Sequence, residues 1–307
     1  MAAPPTPDPP CLEIDHVSKE FRRPGQAPFV AVRDLCATVQ DSAGSGEFIT
    51  IVGPSGCGKS TLLQLVAGFD THVPPTTGEI RFHGEPVTGP SADRGMLFQH
   101  YGCYPHLTVL DNIAFGLRLH ARELGLSRRV IRDIALDWMR KVRLSGDDAT
   151  KYPHELSGGM RQRVALARCL ALKPKCILMD EPFSALDEPT RFEMQDLIVD
   201  LWSDLRATIL LVSHSVAEAV YLGDRVWVMS PAPGTIVAEY RDVPLPSPDV
   251  PAMAEQSKPE FAAAVTEISG EFLRILRTPR EELQAVVADG TGRNRPVEGR
   301  AVSSGAG

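Results

Sequence analysis

The apolar positions of the chain fall into short runs separated by longer helical patterns. Each of the short runs is followed by a turn or a polar residue, and together they predict buried strands at 48–52, 176–179, 208–212 and 226–229. Between the second and third runs, apolar residues recur at helical spacing from Met194 to Leu205. Strands that alternate with helices are typical of a mostly parallel sheet covered on both faces, so the pattern predicts an α/β fold.

Two regions depart from this alternation. Residues 12–40 alternate apolar and polar positions, which predicts an N-terminal antiparallel β region. Residues 100–170 carry long helical patterns, and we interpret them as a helical subdomain inserted between two core strands. We therefore expect one core domain at 12–242, preceded by a disordered, Pro-rich arm at 1–11.

The part of the chain after the core carries weaker patterns. It begins with a strand-like piece at 235–240 and a Pro-rich link at 243–251, followed by one helical pattern near 260–276. We expect a C-terminal extension with one helix at 243–285. The Gly-rich stretch 286–307 is predicted to be a disordered tail.

Composition narrows the function classes. The formal net charge is −7 and no basic cluster is present, which argues against nucleic acid as a partner. No apolar run approaches the ~20 residues that a membrane helix needs, and the start lacks the basic and apolar segments of a secretory signal. The six cysteines form no CxxC pair, so we expect free thiols.

The segment FITIVGPSGCGKST, residues 48–61, predicts a strand, a glycine loop and a helix start, and it satisfies G-x-x-x-x-G-K-[ST]. Glycines allow backbone N–H groups to point at phosphate oxygens, and the helix start adds its positive dipole end. We expect Lys59 to bridge the β- and γ-phosphates, Ser60 to bind Mg²⁺ and Thr61 to reach the α-phosphate. The predicted nucleotide-binding residues of this phosphate loop are Gly53, Pro54, Ser55, Gly56, Cys57, Gly58, Lys59, Ser60 and Thr61.

A second strand, in CILMDEP at 176–182, ends in two carboxylates, Asp180 and Glu181. Ligands of open parallel sheets bind at the carboxyl ends of the strands, so these side chains are predicted beside the phosphate loop. Asp180 suits the magnesium side of such a site, and Glu181 suits the group that polarises the attacking water. Taken alone, the pair would more often be a solvated strand end, and the phosphate loop favours the site.

A third stretch, LSGGMRQR at 156–163, is a Ser-Gly-Gly turn that leads into a basic, helix-forming sequence. It is either a second anion site or a Ser-capped helix without a ligand. Together, these stretches over about residues 12–240 resemble the ATP-binding subunits of ATP-binding cassette (ABC) transporters. The motifs that carry the resemblance follow the family's order: phosphate loop, Gln99 in MLFQH, signature LSGGMRQR, acidic strand, SALD at 184–187 and His214 in LVSHS.

The resemblance implies a P-loop NTPase core, ATP hydrolysis, and ATP and Mg²⁺ as cofactors. In this family, two subunits pair head to tail, so Ser157, Gly158 and Gly159 of one copy would hold the γ-phosphate bound to the other. The resemblance also implies that Gln99 contacts the attacking water and, with Ser60 and Asp180, the metal. His214 would contact the γ-phosphate and Phe21 would stack on adenine. Asp187 would reach across the dimer. Without the resemblance, Phe21 would be a strand-edge aromatic and His214 a structural histidine.

A single cassette without membrane helices resembles the subunits of prokaryotic importers. That implies three partners: a second copy, separate integral membrane permease subunits, and indirectly a periplasmic or lipoprotein substrate-binding protein. The expected location is peripheral, at the cytoplasmic face of the inner membrane, with the segment 101–107 receiving the permease's coupling helix. Met160 and Ser215 depart from the common glutamine and aspartate of the family's motifs.

The motif variants and the C-terminal segment resemble the nitrate/sulfonate/taurine importer group. However, YGCYPHLTV at 101–109 is closer to sugar and polyamine importers. Importers of that kind usually carry a C-terminal regulatory β-domain longer than the segment after residue 230, so we favour the first group and expect uptake of a small anion. An importer of a polyamine or a sugar and a soluble ABC ATPase without a transport function are the alternatives.

Overall fold

The computed structural model describes residues 9–40, 46–69, 71–99, 102–241, 243, 250–279, 282–283 and 295–296. The described strands are β1 (Leu12–Phe21), β2 (Phe29–Val39), β3 (Phe48–Val52), β4 (Thr77–Phe82), β5 (Glu85–Pro86), β6 (Arg94–Leu97), β7 (Cys176–Asp180), β8 (Thr208–Ser213), β9 (Arg225–Met229), β10 (Ile236–Arg241) and β11 (Arg295–Pro296). The described α-helices are α1 (Lys59–Ala67), α2 (Val109–Leu119), α3 (Arg128–Lys141), α4 (Gly158–Leu170), α5 (Glu188–Leu205), α6 (Val216–Leu222), α7 (Ala252–Glu255) and α8 (Pro259–Arg277), with 3₁₀ turns at Gly146–Thr150 and Pro153–Glu155.

The larger sheet has the strand order β11-β10-β9-β3-β8-β7-β6. The five strands from β9 to β6 are parallel to one another, and β10 is antiparallel to β9. Strands β3, β8 and β9 are buried along their whole length, which explains their continuous apolar runs. Successive residues of β3 belong to different apolar clusters. Phe48 lies in the cluster that includes Ile113 of α2, and Ile49 lies in the cluster that includes Leu62 of α1. The predicted mostly parallel α/β core is confirmed.

The N-terminal β region is a separate antiparallel sheet with the order β2-β1-β4-β5. Strands β1 and β2 confirm the expectation for residues 12–40. Strands β4, β5 and β6 were not predicted. All residues of β4 and β5 except Ile80 and Phe82 are at least partly exposed, and β6 has only four residues, so none of these segments shows a long apolar run.

The helical subdomain is built from α2, α3 and α4. Side-chain oxygens of Thr108, Ser127 and Ser157 cap the three helices by accepting backbone N–H groups of their first turns. Their apolar faces meet in one cluster, to which Ile113 and Ala135 belong. The helices thus lie between β6 and β7 in the chain, as the helical patterns predict.

The two ends of the chain correct two expectations. Cys11 is only 2% exposed and packs in an apolar cluster, because β1 starts at the next residue; the arm expected at 1–11 is therefore shorter, and residues 1–8 lie outside the described residues. Among the described residues of the C-terminal extension, helix α7 precedes α8, and residues 282–283 are helical as well, where one helix was expected. Within the stretch expected as a disordered tail, residues 295–296 pair with β10, and the others lie outside the described residues.

Helix α8 buries Ala264, Ile268 and Ile275 in a cluster that also holds Ala219 and Val220 of α6. None of the helices in the described ranges combines the length and the apolar character that crossing a membrane requires. The domain boundaries at 12–242 and 243–285 remain predictions.

Candidate active site

The phosphate loop joins the buried strand β3 to the first turn of α1. Gly58, at the helix N-cap, has φ of 100°, which favours glycine. A Cβ atom at this position would lie 2.6 Å from Val32 Cγ1 and 2.7 Å from the carbonyl oxygen of Ala31. No side chain caps the first N–H groups of α1, so these donors are free to bind an anion.

Lys59 begins helix α1 and is only 4% exposed. Its Nζ atom donates to the carbonyl oxygens of Gly53 at 2.8 Å and Pro54 at 3.1 Å. The loop's own backbone therefore holds the ammonium group at the mouth of the loop. A phosphate bound there would meet a positive charge that is already in place.

Cys57 lies in the middle of the phosphate loop, but its side chain is buried in the apolar cluster that includes Leu62. Burial raises the pKa of this thiol, although the nearby charge of Lys59 opposes the shift. Since the thiolate is the reactive form, Cys57 is protected against thiol reagents. The residue can serve the site through its backbone N–H alone.

The acidic end of β7 lies against the phosphate loop, as the sequence predicts. Ser60 Oγ donates to Asp180 Oδ1 at 2.9 Å, although 120 residues separate the two in the chain. Burial raises the pKa of Asp180; the Ser60 hydrogen bond opposes this shift, and the charge of Glu181 adds to it. A hydroxyl and a carboxylate at this separation are hard oxygen ligands of the kind that Mg²⁺ prefers, so these two residues fit the metal.

The three predicted catalytic side chains meet at Glu181. One carboxylate oxygen accepts from Gln99 Nε2 at 3.1 Å, and the other lies 2.5 Å from His214 Nε2. The backbone of Glu181 has φ of 49°, a left-handed conformation that is rare for a glutamate and typical of functional sites. Its N–H donates to the carbonyl oxygen of Val212, which anchors the turn to β8. Gln99 is thus placed at Glu181 rather than on the Ser60–Asp180 pair.

Several residues around this cleft were missed as site residues in the sequence. Ser184, Arg191 and Ser213 line it together with Glu181 and His214. Glu218, which the sequence placed four residues after His214, accepts from Ser213 Oγ at 2.5 Å instead of facing the histidine. Ser184 and Ser213 stand inside the SALD and LVSHS motifs, which was a signal for them, whereas Arg191 follows SALD in a helical stretch with no distinctive pattern.

The signature segment begins helix α4 in the helical subdomain. Ser157 is exposed, and its Oγ atom accepts from the backbone N–H of Met160 at 3.2 Å. Gly159 is buried, and a Cβ atom added to it would lie 2.6 Å from Thr190 Cγ2. Among the hydrogen bonds of the described residues, none joins 157–159 to the phosphate loop. The structure does not bring these two predicted anion sites together within one chain.

The two other predicted site residues lie at the surface. The ring of Phe21 meets that of His72 edge-on, with centroids 5.3 Å apart, and Lys19 Nζ lies 5.6 Å from its centroid. Asp187 is exposed at the N-cap of α5, where a hydrogen bond with the Thr190 side chain lowers its pKa. Both positions are accessible to a ligand or a partner, and their roles stay predictions.

Comparisons with known proteins agree with this geometry. A family profile described as ABC transporter matches residues 37–184. The nitrate import ATP-binding protein NrtD of Synechocystis sp. is 46% identical over 90% of this chain and 99% of its own length. The taurine import ATP-binding protein TauB of Ruegeria pomeroyi is 40% identical over 89% of this chain and 96% of its own.

A solved structure described as the dimeric structure of MJ0796, a bacterial ABC transporter cassette, superposes with a TM-score of 0.65. It is 30% identical, and the match covers 74% of this chain and 97% of that one. A post-hydrolysis dimer of the same cassette, bound to ADP and Pi, superposes with a TM-score of 0.64. The chain belongs to the ABC transporter family, as one of its ATP-binding and ATP-hydrolysing subunits.

Proposed function

We propose that the protein hydrolyses ATP with Mg²⁺ to energise uptake of a small anion, such as nitrate, a sulfonate or taurine, through separate permease subunits. The observation that carries this proposal is the meeting of Ser60 with Asp180, and of Glu181 with Gln99 and His214, at the mouth of the phosphate loop. The nitrate and taurine import proteins, which match about nine tenths of the chain, support the anion as substrate class.

In the proposed mechanism, Lys59 and the uncapped N–H groups of α1 bind the β- and γ-phosphates. Ser60 and Asp180 would hold Mg²⁺, which neutralises charge on the phosphate oxygens. Glu181 orients and polarises the attacking water, while His214 contacts the γ-phosphate. The 2.5 Å contact between His214 and Glu181 supports a shared role of the two groups at the γ-phosphate.

The second half of the site comes from a second copy of the chain. Ser157, Gly158 and Gly159 lie at the start of α4, where Ser157 is exposed and positioned to meet an anion held by another subunit. ATP would then join two copies across a two-fold interface, and hydrolysis would release them. The dimeric cassette among the structural neighbours supports this arrangement.

The permease would dock on an exposed aromatic surface next to Gln99. Phe98 is 40% exposed, and the rings of Tyr104 and Phe115 lie 4.5 Å apart at the edge of a groove that also includes Leu119, which is 72% exposed. An exposed apolar surface of this kind is typical of a protein interface. Docking there would hold the protein at the cytoplasmic face of the inner membrane and connect the permease to the catalytic cleft.

The direct test uses Glu181→Gln, which keeps the shape of the side chain and removes its basicity. We expect this variant to bind ATP, to lose hydrolysis by at least about a hundredfold, and to form a stable ATP-dependent dimer on size-exclusion chromatography. Lys59→Ala in the same background is the control, since without phosphate binding the dimer should not form. A Glu181→Gln protein that stays monomeric at saturating ATP contradicts the proposal.

The substrate class is tested separately in proteoliposomes that contain the protein with its permease. ATP hydrolysis should rise when the substrate-binding protein is loaded with nitrate, taurine or an alkanesulfonate, and should stay at its basal rate with a polyamine or a sugar. Stimulation by spermidine or maltose alone would assign the importer to the alternative group. Failure to co-purify with any membrane protein of several helices would favour a soluble ABC ATPase.

A further inference from the structure

A set of hydrogen bonds joins the two residues next to His214, Ser213 and Ser215, to Glu218. Its centre is the carboxylate of Glu218 on α6, whose side chain is only 13% exposed. One oxygen accepts from Ser213 Oγ at 2.5 Å. The hydroxyl of Ser213 in turn accepts from the backbone N–H of Ser215 at 2.9 Å, and Ser215 Oγ accepts from the N–H of Glu218 at 3.3 Å. Glu218 therefore holds the residues on both sides of His214.

The other oxygen of Glu218 faces helix α5. Arg191 Nε lies 3.7 Å from this oxygen, which is an ion pair but too long for a hydrogen bond. The Nε atom is buried and has no hydrogen-bond partner. A buried, unpaired donor next to a carboxylate is costly, and a movement of under about 1 Å would turn the contact into a charge-assisted hydrogen bond.

Arg191 also reaches the SALD segment, residues 184–187. Its Nη2 atom donates to the carbonyl oxygen of Leu186 at 3.2 Å, and its backbone N–H donates to the carbonyl oxygen of Asp187 at 2.9 Å. A continuous polar path therefore leads from the SALD segment through Arg191 and Glu218 to the residues that hold His214. Hydrogen bonds and an ion pair of this kind can transmit a small displacement, because each link has a defined geometry.

We propose that Glu218 is a positioning residue that couples the SALD segment to His214, so that a second subunit meeting Asp187 sets the histidine for hydrolysis. This inference rests on the proposed function, since it assumes hydrolysis at Glu181 and contact with a second copy. Contact at the segment would draw Arg191 onto Glu218, and the shortened ion pair would hold Ser213 and Ser215 still. The coupling then acts on the rate of the chemical step and leaves ATP binding unchanged.

The test is a double-mutant cycle on the full chain with Glu218→Gln, Arg191→Gln and the double variant. Glutamine at 218 still accepts from Ser213 but removes the charge that Arg191 meets. We expect each single variant to lower kcat about tenfold, with the KM for ATP within about twofold of wild type. The kcat of the double variant should be no lower than that of the more impaired single variant, because one broken link already interrupts the path.

The matched control is Asp200→Asn, which removes an exposed ion pair with Arg143 from the same helix, α5. It should leave kcat within about twofold of wild type, since surface ion pairs contribute little. Arg191→Lys keeps the positive charge and should recover part of the rate. Both outcomes support a role for charge at this one place in the cleft.

Three results would overturn the inference. They are unchanged kcat in Glu218→Gln, losses that multiply in the double variant, and a raised KM with unchanged kcat. Urea unfolding checks that Glu218→Gln folds, and the more exposed Arg191 gives a second variant if it does not. The Glu181→Gln dimer separates the two hypotheses. If that dimer forms and Glu218→Gln hydrolyses ATP normally, the coupling fails and the proposed function stands.

Discussion

The phosphate loop and the signature segment are both glycine-containing turns at the start of a helix, but their surroundings differ. Lys59 at the start of α1 is almost fully buried, and Ser60 is bonded to an acidic strand of the same chain. Ser157, by contrast, is exposed, and its hydroxyl caps α4 by accepting the backbone N–H of Met160. The difference teaches that the phosphate loop contacts its acidic partner within the chain, whereas the start of the signature segment is exposed.

The glycines of the two segments show the same contrast. Gly58 has a left-handed backbone enclosed by the backbone and side chain of β2 residues, so glycine is required twice over. Gly159 is helical, and apart from its own helix backbone the described residues bring only Thr190 Cγ2 within 4 Å of a Cβ atom added there. The phosphate loop therefore packs tightly against β2 at Gly58, whereas the signature segment contacts one side chain of α5, Thr190, at Gly159.

The largest effect is expected from Lys59→Ala. Removing the charge that the loop holds in place should weaken ATP binding and lower turnover by about a thousandfold. Hydrolysis assays and binding of a fluorescent ATP analogue measure the two losses. Lys141→Ala, which removes an exposed lysine from α3, should change neither. Wild-type turnover without Lys59 would mean that the complete site lies elsewhere.

Ser157→Arg separates the two segments most sharply. Its side chain would block the outward anion site, so turnover should fall by about a hundredfold while ATP binding to the isolated subunit stays within twofold. Ser127→Arg is the matched control, because Ser127 caps α3 in the same way and its loss costs a similar ~1 kcal/mol of stability. If both variants lose turnover equally, the effect comes from the cap and the outward site is not needed.

Alanine at the two glycines should affect stability unequally. Gly58→Ala combines a left-handed backbone with a contact of 2.7 Å to a carbonyl oxygen, and we expect a loss of about 3 kcal/mol in urea unfolding. Gly159→Ala should cost about 1 kcal/mol or less, since helix propensity offsets the contact with Thr190. Adding Thr190→Ser removes that methyl group and should restore stability. Equal losses would show that the signature helix is as tightly enclosed as the loop.

The smallest effect is a pH dependence of the free energy of unfolding, which we expect from Asp180 beside the phosphate loop. Burial raises the pKa of Asp180 above 3.8, so the folded, nucleotide-free protein binds a proton more readily than the unfolded chain does. The free energy of unfolding therefore falls as the pH rises from the pKa of Asp180 in the unfolded chain through its higher pKa in the folded protein. Relative to wild type, Asp180→Asn should gain stability over that interval and keep the gain at neutral pH, as urea unfolding at several pH values would show.

Asp137→Asn is the control of opposite sign. A hydrogen bond with Arg140 lowers the pKa of Asp137, so its contribution is present above the ordinary pKa and is lost as pH falls through the folded value. This variant should be slightly less stable than wild type at neutral pH and equal to it in acid. The first turn of α4 has no acidic residue, so the signature segment should add no such dependence. A gain for Asp180→Asn that does not vary with pH would rule out titration as its cause.

Much of the fold followed from local pattern. Strand β3 has the predicted bounds, and β7, β8 and β9 differ from prediction by one residue each, because fully buried parallel strands read as apolar runs. Strand β6 was missed, since it is partly exposed at a sheet edge. Helix α7 of the extension was missed as well, because it has only four residues.

The sequence by itself determined the phosphate loop, the acidic strand end and the family, since these depend on residue types at fixed short spacing. Only the tertiary structure decided which distant residues meet. It placed Ser60 on Asp180, Gln99 and His214 on Glu181, and the missed Glu218 between Ser213 and Arg191 of α5. Such contacts depend on strand order and on the path of each loop, which short-range periodicity does not encode.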